Sequence, residues 1–144
     1  MARLPRTHAP CGHFSYVRKN ARTCTFCEWA DPLKRARYRY RDIAKGARAG
    51  ARWPLLISQG EFEAWYCQEA ANKDACHYCG VTRVQLRDSG YNLCSWHIDR
   101  IDNDRPYEAG NLVLACDHCN TWKGARRTYA EALHHGVSRR IEAG

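Results

Sequence analysis

The sequence predicts a small α+β protein in which a module of two short strands and a helix follows two longer helices. Two Cys-x-x-Cys pairs, Cys76/Cys79 and Cys116/Cys119, have the spacing of a structural zinc site. Between the pairs the hydrophobic pattern changes from helical to the alternation of a strand. We therefore expect the order strand, loop, strand, helix, with one metal ion joining the start of the module to its last helix.

The overall charge of the chain favours an anionic partner. Its 144 residues include 23 Lys and Arg against 15 Asp and Glu, which gives a formal net charge of +8. Such a surface is attracted to phosphate backbones, whatever the fold beneath it. Plain solubilisation is the alternative explanation of the charge. The length allows one ordinary domain or two small modules.

Nine cysteines permit either disulfides or metal sites. The first residues contain no apolar run that could serve as a signal peptide, and no segment approaches membrane-spanning length. An odd number of cysteines also fits poorly with a complete set of disulfides. We therefore expect a cytoplasmic protein with no membrane partner, in which thiols stay reduced and paired cysteines bind zinc.

The N-terminal residues contain a second set of zinc-ligand types. Cys11, His13, Cys24 and Cys27 supply four tetrahedral ligands, enough for a closed structural site. In the alternative interpretation, His13 is incidental and the thiols are free. We predict an N-terminal zinc knuckle.

A basic amphipathic helix is predicted over residues 33–52, beginning after Pro32. Its inward face holds small and apolar residues at helical spacing. Its basic face either follows a nucleic-acid backbone or is an ordinary solvated surface. The inward residues are Leu33, Ala36, Tyr40, Ala44 and Ala47, and the candidate nucleic-acid contacts are Arg37, Arg41, Lys45 and Arg48.

The next helix has a clear start signal. Ser58 and Glu61 have the spacing of a capping box, and Ile57 is placed to pack onto Phe62. Phe62, Trp65 and Tyr66 then share one face. We predict that these aromatic rings belong to the core and do not stack on bases.

The strand–strand–helix module is predicted from period and caps. Residues 91–98 alternate so that His97 and Asp99 point away from Trp96 and Ile98. The segment 112–115 is predicted as the second strand. Asp117 is a candidate cap for a helix that carries the last Cys-x-x-Cys pair, and a capping signal at 128–131 predicts one more helix.

Cys76, Cys79, Cys116 and Cys119 are assigned to structural zinc. So small a unit buries little apolar surface, and a bound zinc ion supplies folding free energy that the core lacks. Cys67 and Cys94 are expected on inward faces as small apolar residues.

The same residues carry a resemblance to a known family. It is carried by the runs Cys76–Gly80 and Asp99–Asn103, by Tyr107 and 111–113, and by Cys116-x-x-Cys-Asn-x-x-Lys-Gly up to Gly124. Together these segments resemble an HNH endonuclease. More narrowly, they resemble zinc-bearing variants with an Asp-Arg-Ile-Asp-Asn motif that are common in phages and mobile elements. The resemblance covers about residues 74–127.

The resemblance implies a ββα-metal fold around one divalent cation. Asp99 matches the first metal-ligand position, and Asn120 matches the second protein ligand, on the helix. Asn111 matches the position at which the family fixes the loop that bears the general base. Carboxylate and amide oxygens suit Mg²⁺ or Mn²⁺. Lys123 and Arg126, which follow on the same segment, are predicted to contact nucleic-acid phosphates.

One position departs from the family pattern. The residue after the first ligand is normally the histidine that activates water, and here it is Arg100. An arginine stays protonated near neutral pH and cannot accept that proton. His97 and Asp102 are the alternative bases, and Arg100 is instead a candidate phosphate contact. His134 and His135 are expected to be surface residues without a nearby partner.

The function implied is hydrolysis of DNA phosphodiester bonds by a phage or mobile-element enzyme in the host cytoplasm. On this interpretation residues 1–30 form the zinc knuckle, 31–73 a basic helical region that grips the substrate, and 74–144 the nuclease domain. Two other function classes stay open. One is a nucleic-acid-binding zinc protein that retains the fold without catalysis, and the other is an interaction module in which the charge is incidental.

Overall fold

The computed structural model describes residues 6–8, 14–16, 24–50, 53–91 and 93–143. Two antiparallel two-stranded sheets and six helices are seen in these ranges. Their order is β1 (Arg6–His8), β2 (Phe14–Tyr16), α1 (Thr25–Glu28), α2 (Pro32–Arg48), α3 (Gln59–Asn72), α4 (Arg83–Asp88), β3 (His97–Arg100), β4 (Leu112–Ala115), α5 (Asp117–Lys123) and α6 (Tyr129–Ala143).

The hairpin β3–β4 followed by α5 confirms the predicted order of strand, loop, strand and helix. His97 pairs with Ala115 and Arg100 with Leu112. The first strand is shorter than the predicted segment 91–98. It begins only at His97 because the backbone before it bonds to side chains: the Trp96 amide donates to the Tyr66 hydroxyl at 3.1 Å.

Helix α2 begins as its sequence indicates, but it ends at Arg48 and not at residue 52. Of its predicted inward residues, Leu33, Ala44 and Ala47 are only partly buried. Asp31 caps it, with its carboxylate accepting from the Leu33 amide at 3.0 Å. Ala36 and Ile43 face the core, as do two arginines that the apolar pattern did not place there. Arg35 pairs with Asp74 at 2.8 Å. Arg39 donates to the carbonyl oxygens of Ser95 and Trp96 at 2.9 and 2.8 Å.

Helix α3 also follows its prediction. The Ser58 hydroxyl accepts from the Glu61 amide at 3.2 Å and so satisfies a free donor of the first turn. Ile57, Phe62 and Tyr66 are buried in the core, and Trp65 packs against it. Helix α4 was not predicted. It begins with a complete capping box between Thr82 and Gln85.

The buried core is continuous from α2 and α3 to the β3–β4 hairpin and the four paired cysteines. Residues 31–73 therefore pack directly on the strand–helix module. Among the described residues, no helix combines the length and the apolar character needed to cross a membrane.

Helix α6 lies directly against the segment that joins Cys76 to Cys79. A Cβ placed on Gly136 would lie 2.2 Å from the Tyr78 carbonyl oxygen, so only glycine allows this approach. The Arg140 guanidinium donates to the same carbonyl at 2.9 Å. The C-terminal helix thus fixes the backbone of Tyr78, whose side chain enters the candidate site described below.

Candidate active site and metal centre

Four cysteines converge as the sequence predicts. Cys76 and Cys79 precede α4, Cys116 caps α5, and Cys119 lies in its first turn. All four are buried, and their sulfur atoms lie within 4.8 Å of one another. The Cys116 sulfur also accepts from the Cys119 amide at 3.4 Å, which orients it at the helix start. The arrangement is positioned to hold a metal ion.

The chemistry of these donors fits zinc. A tetrahedral ion with Zn–S bonds of about 2.3 Å separates its sulfurs by about 3.8 Å. The Cys79 and Cys116 sulfurs lie 3.8 Å apart. Hydrogen bonds from Cys116 and its neighbours lower the pKa of Cys76, whereas the interaction with Cys116 raises the pKa of Cys119. Cysteines this close together can all be thiolates only with a cation to balance them, which is consistent with structural zinc.

Arg139 on α6 is a contact of this cluster that the sequence did not suggest. Its guanidinium donates to the sulfurs of Cys116 and Cys119 at 3.8 and 3.5 Å. A positive group there offsets the negative charge of thiolate ligands.

The N-terminal ligand set is only partly within the described ranges. Cys11 and His13 lie outside them. Cys24 is buried at the start of α1, where its sulfur accepts from the Cys27 amide at 3.4 Å. The second zinc site stays a prediction.

Asp99 lies in the middle of β3 and is 7% exposed. Its carboxylate accepts a hydrogen bond from the Tyr78 hydroxyl. Lys123 Nζ lies 3.3 Å from one carboxylate oxygen and 3.2 Å from the other. Burial raises the pKa of Asp99, and this effect outweighs the opposite influence of Tyr78 and Lys123. The predicted metal ligand is therefore a buried carboxylate with both oxygens already engaged.

Lys123 corrects a sequence-based expectation. Its side chain is 0% exposed, so it cannot contact a phosphate from this position. Besides Asp99, its ammonium group donates to the Arg100 carbonyl at 2.8 Å and to the Asn103 side-chain oxygen at 2.5 Å. The reason is that α5 packs against β3 and points Lys123 beneath the loop that follows the strand. Carboxylate, carbonyl and amide oxygens surround this nitrogen, the ligand types that a hard metal ion also takes.

Asn120 lies one turn before Lys123 on α5, so the two side chains share one face of the helix. Because Lys123 touches Asp99, this face of α5 is turned towards β3. The Asn120 side chain is partly exposed. Within the described part of the chain no hydrogen bond engages its amide group, and the amide oxygen is thus available as a ligand.

Asn111 fixes the loop between the two strands of the hairpin. It is 1% exposed, and its amide oxygen accepts from the Asp102 backbone at 2.8 Å. Its amide nitrogen donates to the carbonyl oxygens of Asp102 and Pro106 at 3.2 and 3.0 Å. This is the loop-tethering geometry that the family resemblance implies.

Arg100 is held by the same loop and by two aromatic rings. Its guanidinium donates to the Asn103 and Arg105 carbonyls at 2.5 and 2.7 Å. It lies 4.5 Å from the ring centre of Trp53 and 5.5 Å from that of Tyr107. These contacts fix the side chain in one orientation and leave it no role as a proton acceptor.

The two candidate bases lie in different environments. His97 is partly buried, and its Nε2 lies 3.5 Å from an Asp117 carboxylate oxygen at the start of α5. His97 lies two residues before Asp99 on β3, so both side chains leave the same face of the strand. Asp102 is exposed in the loop, where it accepts from the Asp104 amide at 2.9 Å.

The remaining predicted contacts are spread over the surface. Arg37, Arg41, Lys45 and Arg48 are exposed on α2, and Arg126 is exposed after α5. Arg37 pairs with Glu63 at 3.3 Å.

His135 has partners, contrary to expectation: its ring stacks on Trp122 with 3.9 Å between ring centres, and its Nε2 lies 3.1 Å from that of His118.

The fold is similar to that of the rare-cutting HNH restriction endonuclease PacI, a protein described for its mechanism of DNA perturbation. The TM-score is 0.61 at 20% sequence identity, and the alignment covers 99% of this chain and 95% of the PacI chain. No protein-family model matches the sequence, and no curated protein matches it. The similarity shows an HNH-type fold, in agreement with the predicted fold class.

Proposed function

We propose that this protein is a metal-dependent HNH endonuclease that hydrolyses phosphodiester bonds in DNA and derives from a phage or mobile element. One observation carries the proposal: within an HNH-type fold α5 packs against β3 so that Lys123 contacts Asp99, and Asn120 lies one turn before Lys123 on the same helix face. The name of PacI supports DNA as the substrate. The resemblance of the Asp99–Asn103 run supports the phage-type assignment.

The proposed ligands of the catalytic ion are Asp99 and Asn120. The Asn120 amide is open, and a carboxylate has about four acceptor positions, of which Tyr78 and Lys123 use part. When bound, Mg²⁺ or Mn²⁺ would stabilise the charge that develops on the scissile phosphate and the leaving oxygen. Asn111 keeps the loop beside this site in one conformation.

We assign the proton-accepting role to His97. The imidazole is partly exposed on the same strand face as Asp99, and an ordinary histidine accepts protons near neutral pH. Asp117 at 3.5 Å stabilises the imidazolium that would form. Asp102 is the alternative base. Arg100, fixed by Trp53 and Tyr107, is proposed to hold a substrate phosphate.

Substrate affinity is proposed to come from the exposed basic face of α2 and from Arg126. Cations on that face follow at intervals of three or four residues, a pattern suited to a nucleic-acid backbone. Residues 31–73 thus combine a role in the core with one in gripping DNA. We propose a cytoplasmic site of action.

The direct test is cleavage of supercoiled plasmid by the zinc-loaded protein. We expect cutting with Mg²⁺ or Mn²⁺ and none with EDTA. Asn120→Ala should lower the rate at least a hundredfold because it removes one of two protein ligands, whereas Thr121→Ala, its exposed neighbour on α5, should cut at nearly the wild-type rate. Equal rates for the two variants would refute the assignment of Asn120.

A second candidate is a nucleic-acid-binding protein that has lost catalysis. The observation that favours it is Arg100, held by two carbonyls where the family carries its base. Binding of DNA that weakens with salt, without cleavage in any divalent cation, would support this candidate.

A further inference from the structure

The ion pair of Lys123 with Asp99 has consequences for metal binding. The side chain of Lys123 is 0% exposed and that of Asp99 8% exposed, so the pair is shielded from water on both sides. In such surroundings two charges interact far more strongly than at the surface. A metal cation that binds to Asp99 is therefore repelled by the Lys123 ammonium group and competes with it for the carboxylate.

The oxygen shell of Lys123 resembles that of a hard cation. The nitrogen contacts both Asp99 oxygens at 3.3 and 3.2 Å, the Arg100 carbonyl at 2.8 Å and the Asn103 amide oxygen at 2.5 Å. The contacts with Arg100 and Asn103 do not involve the Asp99 carboxylate. Lys123 can therefore give up the carboxylate and still keep two oxygen acceptors.

Tyr78 contacts the same carboxylate without a charge. Its hydroxyl donates to Asp99, its ring is fully buried, and its backbone is held by α6. A neutral donor orients the carboxylate but does not repel a cation. The two neighbours of Asp99 thus differ in charge while both hydrogen-bond to it, which provides a matched comparison.

We propose that Lys123 is a placeholder cation that competes with a divalent metal ion for Asp99. In the metal-free protein Lys123 neutralises the buried carboxylate and keeps it in place. On metal binding it releases Asp99 and keeps its contacts with Arg100 and Asn103. Lys123 thereby sets the metal concentration at which the site fills. The inference rests on the proposed function, because that function assigns Asp99 as a metal ligand.

The test measures Mn²⁺ affinity directly, by calorimetry or by the electron paramagnetic resonance of free Mn²⁺, on protein whose cysteine cluster is loaded with zinc. Lys123→Met removes the charge at similar volume, and Lys123→Gln removes it while keeping a donor for Asp99. Each should tighten Mn²⁺ binding at least tenfold. Tyr78→Phe should change it by less than threefold, because it removes a neutral hydrogen bond. Lys123→Met combined with Asp99→Asn should abolish binding.

Unchanged or weaker Mn²⁺ binding by both Lys123 variants would overturn the proposal, as would the absence of Mn²⁺ binding to every variant. If both zinc-loaded variants are unfolded in the absence of Mn²⁺, recovery of their circular dichroism on addition of Mn²⁺ supports it and failure to recover overturns it. The proposed function is judged separately, by cleavage. If the Lys123 variants bind Mn²⁺ more tightly but the wild-type protein cuts no DNA, the role of Lys123 holds and the proposed nuclease function is refuted. If the wild-type protein cuts DNA but the Lys123 variants bind Mn²⁺ with unchanged affinity, the nuclease function holds and the role of Lys123 is refuted.

Discussion

Tyr78 joins the cysteine cluster to the site around Asp99, because it lies between Cys76 and Cys79 in the chain and hydrogen-bonds to Asp99. The negative charges of the two sites are balanced in different ways. The four cysteines present like donors to one point, and the Arg139 guanidinium donates to two of their sulfurs. Asp99, by contrast, is already neutralised by Lys123. A set of bare thiolates depends on its metal for folding, whereas a carboxylate with an internal cation is stable without one. On the proposed function, the comparison separates a structural metal site from an exchangeable one.

Loss of a cysteine ligand should have the largest effect. Cys116→Ser removes a zinc ligand and the cap of α5 together, and structural zinc contributes on the order of 10 kcal/mol in small domains. We expect loss of zinc and of the folded hairpin, measured by metal analysis and circular dichroism. Cys67→Ser, at a partly buried cysteine outside the cluster, should keep its zinc. A folded, zinc-free Cys116→Ser protein would contradict the comparison.

Removal of the buried carboxylate should have the next largest effect. Asp99→Ala leaves the buried Lys123 without its counter-charge, so the free energy of unfolding should fall by about 3–5 kcal/mol. Asp102→Ala, in the exposed loop, should change it by about 0.5 kcal/mol or less. Urea denaturation of the zinc-loaded proteins measures both. A similar, small change in the two variants would mean that the Asp99–Lys123 pair contributes little.

The junction between the two sites can be tested at Gly136. An alanine Cβ there would lie 2.2 Å from the Tyr78 carbonyl, so α6 must shift, at a cost of about 1–3 kcal/mol. On α3, Gly60 has nothing within 4 Å, and Gly60→Ala should stabilise the protein by up to about 1 kcal/mol. Thermal unfolding distinguishes the two variants. Equal melting temperatures would show that α6 does not press on Tyr78.

The smallest effects are expected on the basic face of α2, away from both sites. Arg41→Ala and Lys45→Ala should each weaken DNA binding modestly and reduce the slope of log affinity against log salt by about 1. Arg87→Ala, whose side chain is paired with Asp88, is the control. Fluorescence anisotropy at several salt concentrations measures the slope. An unchanged slope would mean that the basic face of α2 is an ordinary solvated surface and does not contact DNA.

The sequence was most informative where function depends on local spacing. The Cys-x-x-Cys pairs, the Ser58 cap and the loop-fixing position of Asn111 are each recognised within a few residues, and the structure places them accordingly. The strand start at His97 was missed because it depends on Tyr66, which lies on a separate helix.

Buried cations were the other failure of sequence-based prediction. Arg35, Arg39 and Lys123 read as surface residues by type, since charged side chains are rarely buried without a partner. Their partners are Asp74, two backbone carbonyls and Asp99, all distant in the chain. Helical periodicity detects apolar faces and cannot detect such pairs.

Cleavage and zinc content measured on the same preparations of Asp99→Asn test the distinction between the two sites most directly. We predict a folded protein with an intact cysteine–zinc cluster that no longer cuts plasmid DNA in Mg²⁺, while Asp104→Asn, in the neighbouring loop, cuts as the wild type does. Normal cutting by Asp99→Asn, or loss of zinc together with activity, would contradict the account.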